Sequence, residues 1–289
     1  MTLPDRWDSI TDDAMRRAIP EFVRVYADRP LKRNLGGMRF NHSFATWLVL
    51  KTLKPSLVIE SGVWQGHSTW LIEQACPEAA LYCLDVDFSR LIYRSAKATY
   101  WTKDFADCAW EGVDPVGALC LFDDHQNAYQ RLKDMRWAGF RRALFDDNYP
   151  VGEGDFYSLR QMRAGAGHER LQMTAKYLGS EEERKRRALF EEVIQVAGPR
   201  QQLLVPPNET DRALFAHNAR VYYEFPPVAR LERAPVFATA YQGAYATKPP
   251  LYALDSLPPE LAALWAMDET EFDYNWIAYV ELESAASDY

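Results

Sequence analysis

The chain has no long apolar run. The longest candidate, around "FATWLVL", falls well short of the roughly 18 residues that a membrane-spanning helix needs, so no membrane span is expected. Basic charge is also scarce: 33 Lys and Arg face 41 Asp and Glu, for a net charge of −8. Proteins that bind nucleic acid carry a basic footprint, and this chain does not. Cysteine is rare. Cys76, Cys83, Cys108 and Cys120 include no CxxC spacing, and Cys83 and Cys120 lie inside apolar strand-like runs. They read as buried free thiols in a reducing compartment rather than as a zinc site. The opening "MTLPDRWDSITDDAMRRAIP" has no apolar core flanked by basic residues, so it is not read as a secretory signal and the expected location is cytoplasmic. Repeats and low-complexity segments are absent.

Of the 289 residues, 48% are hydrophobic and 13% aromatic, enough for one large core with extensions. Residues 1–54 read as an N-terminal helical extension, broken by the loop "DRPLKRNLGGMRFN" with its Pro and Gly pair. Short apolar runs then recur: "SLVIE", "ALYCLD", "ATYWTKD", "ALCLFDD" and "RALFDD". Helical patterns such as "STWLIEQA" and "NAYQRLKDMRWAG" fill most gaps. Strands alternating with helices predict a parallel, doubly wound α/β sheet. The runs are near-continuously apolar, as expected when both sheet faces are covered. Residues 55–289 form the expected main domain. Within it, 151–179 reads as a polar, glycine-bearing excursion, and a helix opened by a Ser180–Glu183 capping box follows, so that 151–200 form a helical lid or insertion. The runs "QQLLVP", "ARVYYEF" and "NWIAYVEL" are the last expected strands.

In such sheets ligands bind beyond the carboxyl ends of the strands, at the switch point of strand order. The segment "VIESGVWQGHST" belongs there. Gly62 allows a tight turn and Gly66 lets a helix start close to a ligand. The spacing is neither that of dinucleotide turns nor that of phosphate loops, and no lysine is present to hold a phosphate. An acid, Glu60, stands at the strand end instead, which repels pyrophosphate and suits a cation. Asp85 ends the next strand, 25 residues on, the usual place for a partner of ribose hydroxyls. Asp104 ends the third strand, where a carboxylate can accept from an adenine amino group. A cationic adenosine without phosphates satisfies all of these, and S-adenosylmethionine is such a molecule. His67, Ser68 and Thr69 either bond its carboxylate at the helix N-terminus or simply cap the helix.

These residues resemble motif I and the acidic second-strand loop of the class I S-adenosylmethionine-dependent methyltransferases, over roughly residues 50–150. The resemblance implies a Rossmann-like, mostly parallel, seven-stranded sheet. "LFDDHQNAY" and "LFDDNYP" then place two consecutive aspartates at each of two adjacent strand ends. Adjacent buried carboxylates repel unless something cationic compensates them. A hard divalent cation with oxygen ligands does so, Mg²⁺ being the expected one. The pattern is similar to that of metal-dependent O-methyltransferases, of the macrolide-sugar and cephalosporin-hydroxylase-like group. That resemblance implies Asp123, Asp124, Asp146 and Asp147 as metal ligands and His125 as general base, with Asp124 beside it. There is one departure. Those relatives usually have two residues between the metal-binding Asp and the His, whereas here Asp124 and His125 are adjacent. The choice between Asp123 and Asp124 therefore stays open.

Other signals are weaker. Trp101, Trp110, Tyr149, Phe156, Tyr157, Tyr222, Tyr223, Tyr241 and Tyr245 could stack on a sugar, although packing explains each more simply. His42, His168 and His217 receive no role, and Glu153 and Asp155 read as solvated loop acids. The expected function is metal-assisted O-methyl transfer to a small molecule or sugar. The alternatives are a nucleoside-binding relative without methyl transfer and a hydroxylase. No nucleic-acid or membrane partner is expected, and a homodimer is left open.

Overall fold

The computed structural model describes residues 10–34, 36–151, 154–169, 204–230, 248–272 and 276–283. Helix α1 (Asp12–Ala27) starts at Thr11, whose hydroxyl accepts from Ala14 N. It buries Met15, Ile19, Phe22 and Tyr26, the 4-3-4 spacing of one helix face. Helix α2 (Phe40–Leu53) is buried almost throughout, because α1 covers one side and α3 (His67–Ala75) packs on another. Lys54 ends it in the left-handed conformation.

Seven strands form the sheet: β1 (Leu57–Ser61), β2 (Ala80–Asp85), β3 (Thr99–Thr102), β4 (Ala118–Phe122), β5 (Arg142–Phe145), β6 (Ala219–Glu224) and β7 (Ala278–Leu282). Their order is β3-β2-β1-β4-β5-β7-β6. The first five are parallel; β7 runs antiparallel to both β5 and β6. Central strands β1 and β4 are buried at every position, and edge strand β3 is not. Side chains alternate between two cores, as the two-residue period requires. Val58, Leu119, Leu121 and Leu144 join the core under α1, α2 and α3. Leu57, Ile59, Cys120, Phe122, Ala143 and Phe145 join the core on the opposite face, with α4 (Ala128–Trp137). The doubly wound expectation therefore holds on both faces. The cysteines are free, and Cys76, Cys83 and Cys120 are buried.

Three helices were not legible in the sequence: α5 (Leu159–Arg163), α6 (Glu209–Asn218) and α7 (Pro259–Met267). The expected polar excursion is, in its described part, an inward turn. Phe156, Tyr157, Leu159 and Met162 are buried there, and Ser158 and Gln161 form a capping box at α5. Of the "QQLLVP" run, Leu204–Val205 pairs with His168–Glu169 apart from the main sheet. The helix expected after Ser180 lies outside the described residues, as do Tyr241 and Tyr245. Among the described residues no helix is long and apolar enough to cross a membrane.

Candidate active site

The sheet order reverses at β1, whose neighbours are β2 and β4. Beyond its carboxyl end comes the glycine turn. Gly62 has φ +90°, and a Cβ there would stand 2.0 Å from the Asp123 carbonyl oxygen. Gly62 thus lets the turn pass directly against the chain leaving β4. Gly62→Ala is expected to cost about 2–5 kcal/mol of stability by denaturant unfolding, combining left-handed strain with overpacking. Gly112 has φ +83° with nothing within 4 Å of an added Cβ. Gly112→Ala therefore isolates the strain alone, at about 1–2 kcal/mol. Equal losses in the two variants would refute the close approach.

Asp85 holds this turn: its Oδ2 accepts from Val63 N at 2.9 Å and Trp64 N at 3.1 Å. Glu60 is wholly buried, and accepts from Thr69 Oγ1 at 2.7 Å and Cys83 Sγ at 3.1 Å. Burial pushes its pKa up to about 7, against the lowering effect of hydrogen bonds from Ser68, Thr69 and Cys83. His67 turns towards the N-terminal helices, where its Nε2 meets Ser43 Oγ at 2.9 Å. Burial and the Arg29 charge push it down to about 3. Asp104 is engaged by Arg131, at 2.9 and 2.6 Å, and caps the short turn Phe105–Asp107 through Ala106 N.

The aspartate pairs at the ends of β4 and β5 diverge. Asp124 accepts from Ser61 Oγ at 2.6 Å and Arg131 Nε at 2.9 Å, so it belongs to the Arg131 ion network with Asp104. Asp123 instead meets His125 and Asp147, and a second set joins His42, Asp146 and Asp147. Within each set the potential ligand atoms lie within 4.8 Å of one another. The geometry thus separates two aspartates that the sequence left interchangeable. Asn148 is engaged elsewhere, donating to Tyr222 Oη at 2.8 Å and accepting from Arg160 N at 3.0 Å.

His125 Nδ1 faces the Asp155 carboxylate at 3.0 Å, and Nε2 lies 3.8 Å from Asp147 Oδ2. Burial alone would lower the pKa of His125, but Asp155, Asp147 and Asp123 outweigh it and raise it well above the ordinary value. Burial and the neighbouring Asp146 push Asp147 up to about 6. Burial, Asp146 and Asp147 likewise raise Asp123 well above the usual carboxylate range. The Asp147 Oδ1 atom is buried and accepts no hydrogen bond. His125 keeps 17% side-chain exposure, so the cluster opens to solvent on that side.

Backbone strain marks the same place. Among the described residues four non-glycines have positive φ: Lys54, Trp64, His125 and Asp147. Three of them line the glycine turn or the acid cluster. Each costs on the order of 1–2 kcal/mol and persists only where its surroundings impose it, as at ligand sites.

The structure corrects two readings. Asp155 is a buried partner of His125 rather than a solvated acid, because Phe156 and Tyr157 carry its loop inward. His42 reaches Asp146 from α2 and so acquires a role. The signal for His42 was the polar trio "NHS" inside an apolar helix. The aromatics named as sugar platforms mostly pack: Trp101 stacks on Tyr82, and Trp110 lies against Phe105 and Phe140.

This sheet order, with its antiparallel β7, defines a Rossmann-like, doubly wound α/β fold. No family model matches the chain, and no curated protein is similar to it. Solved structures are similar at a distance. The apo structure of CmcI is 18% identical over 43% of this chain, which spans 64% of that one, with a TM-score of 0.29. A methyltransferase from Geobacter sulfurreducens is 16% identical over 50% of this chain and 71% of that one, at 0.30. The SAH-bound Podospora anserina methyltransferase PaMTH1 is 10% identical over 98% of each chain, at 0.42.

Proposed function

We propose that this chain is an S-adenosylmethionine-dependent O-methyltransferase that uses a divalent cation, Mg²⁺ first. Its acceptor is a hydroxyl of a small molecule, with a sugar or glycosylated natural product favoured. The observation that carries this reading is the meeting of two features at the carboxyl edge of the sheet. One is a glycine turn with no phosphate-binding lysine. The other is a cluster of four carboxylates, Asp123, Asp146, Asp147 and Asp155, with the imidazoles of His42 and His125.

The residues fit a cation. An orphaned buried carboxylate oxygen, here Asp147 Oδ1, is costly unless a positive charge meets it. The donors are oxygens with imidazole beside them, which suits a hard ion. They also fit the nucleoside, since Asp85 ends β2, where ribose hydroxyls are met. When bound, the nucleoside supplies an electrophilic methyl group on a sulfonium, and the cation lowers the pKa of the acceptor hydroxyl.

Asp123, Asp146 and Asp147 would hold the cation. His125 takes the acceptor proton at Nε2, while Asp155 fixes the ring through Nδ1 and stabilises the imidazolium that results. In the ion-free protein His125 keeps its own proton, because three carboxylates favour it. With Asp123 and Asp147 engaged by a cation, only Asp155 would still favour that proton, and Nε2 would be free to accept. Phe156, edge-on to His125 at 5.8 Å, and Tyr149 against Phe156 help exclude water.

Isothermal titration with S-adenosylmethionine and S-adenosylhomocysteine, with and without Mg²⁺, tests the reading. Binding of both is expected, and binding of neither would end it. Asp85→Ala should weaken S-adenosylhomocysteine binding by about 1.5–3 kcal/mol, the range for hydrogen bonds to a charged group. Unchanged affinity would remove Asp85 from the ribose site.

A further inference from the structure

Three consecutive polar residues, Asn41, His42 and Ser43, stand in the first turn of the largely apolar helix α2, and each reaches a different part of the chain. Asn41 accepts from Val228 N at 2.9 Å and donates to the Ala229 carbonyl at 3.0 Å. Ser43 meets His67 Nε2 at 2.9 Å. Between them His42, 2% exposed, bonds the Asp146 carboxylate through Nδ1 and accepts from Trp276 N through Nε2 at 2.8 Å.

The second bond fixes the tautomer. A backbone amide only donates, so Nε2 presents its lone pair and the ring proton sits on Nδ1. His42 therefore donates to Asp146. With both ring nitrogens engaged, His42 is not itself placed to ligate an ion. Without that donor, repulsion from the adjacent Asp147 would turn the Asp146 carboxylate aside.

We propose that His42 is a positioning residue for the cation site. From α2 it locks Asp146 in one orientation beside Asp147, so the N-terminal helix pair is a working part of the site. The proposal rests on the metal-assisted reading above. Partners of this kind, one step removed from the ion, typically contribute 10–100-fold in metal affinity.

The test is Mn²⁺ binding by the full chain, followed by electron paramagnetic resonance, with circular dichroism as the control for folding. His42→Leu removes the donor and should weaken Mn²⁺ binding by roughly 10–100-fold. His42→Asn places an amide N–H where Nδ1 stood and should restore most of the affinity. A folded His42→Leu variant with wild-type affinity would overturn the proposal and leave the metal reading standing. Wild-type protein that binds no Mn²⁺ would overturn both. In case the variants fail to fold, ¹⁵N spectra of wild-type histidines provide an independent check. They should show His42 protonated at Nδ1 and bare at Nε2, and the reverse tautomer would overturn the assignment.

Discussion

Asp147→Asn is expected to move stability and activity in opposite directions. Turnover with Mg²⁺ should fall on the order of 10³-fold, since Lewis-acid assistance is worth several kcal/mol. In chelator at neutral pH the variant should be more stable than wild type by on the order of 2 kcal/mol. The folded protein holds the Asp147 proton more tightly than the unfolded chain does, because burial and Asp146 push its pKa up to about 6, above the ordinary aspartate range. A folded state that binds more protons loses stability as pH rises. Ion-free wild type should therefore weaken between about pH 4 and pH 6, and His125, also raised, should extend the loss to higher pH. Cation affinity should climb over the same lower window as the carboxylate loses its proton. Thermal unfolding in chelator across that range, with and without the substitution, measures the slope. A variant with full turnover would remove Asp147 from the cation site, and one with the wild-type slope would show that another group carries the pH dependence.

His125→Ala should lower turnover by roughly 10²–10⁴-fold, the usual contribution of a general base, while S-adenosylhomocysteine binding stays near normal. Asp155→Asn gives the sharper diagnostic. Asp155 raises the proton affinity of His125, and a base works only once its proton is gone. Removing that carboxylate should therefore move the acidic limb of the kcat/KM profile to lower pH. If His125→Ala turns over like wild type, the ring is structural and the base lies elsewhere in the cluster.

Legibility in the sequence followed the range of the interaction. The five parallel strands and helices α3 and α4 were readable because their apolar periodicity is local. So was the glycine turn, whose residues fix their own backbone. The division of Asp123 from Asp124 was not, since it depends on Arg131 drawing one of them away. Nor was the Asp155–His125 pair, because its partners lie 30 residues apart and a loop acid looks the same whether buried or solvated. His42 was harder still. Helix α5 was masked by the glycines around it, and its capping box carries the signal only once its loop is known to turn inward.

The strand order also bears on how the chain is made. Strand β7, built from residues 278–282, lies between β5 and β6 rather than at an edge. During synthesis β5 has an open hydrogen-bonding edge, a template for mispairing, until residues 278–282 leave the ribosome. His42 shares that delay: it meets Asp146 104 residues later and Trp276 234 residues later. A chain interrupted before residue 276 lacks both the strand that joins β5 to β6 and the amide that holds His42, so the sheet and the site are completed by the same segment.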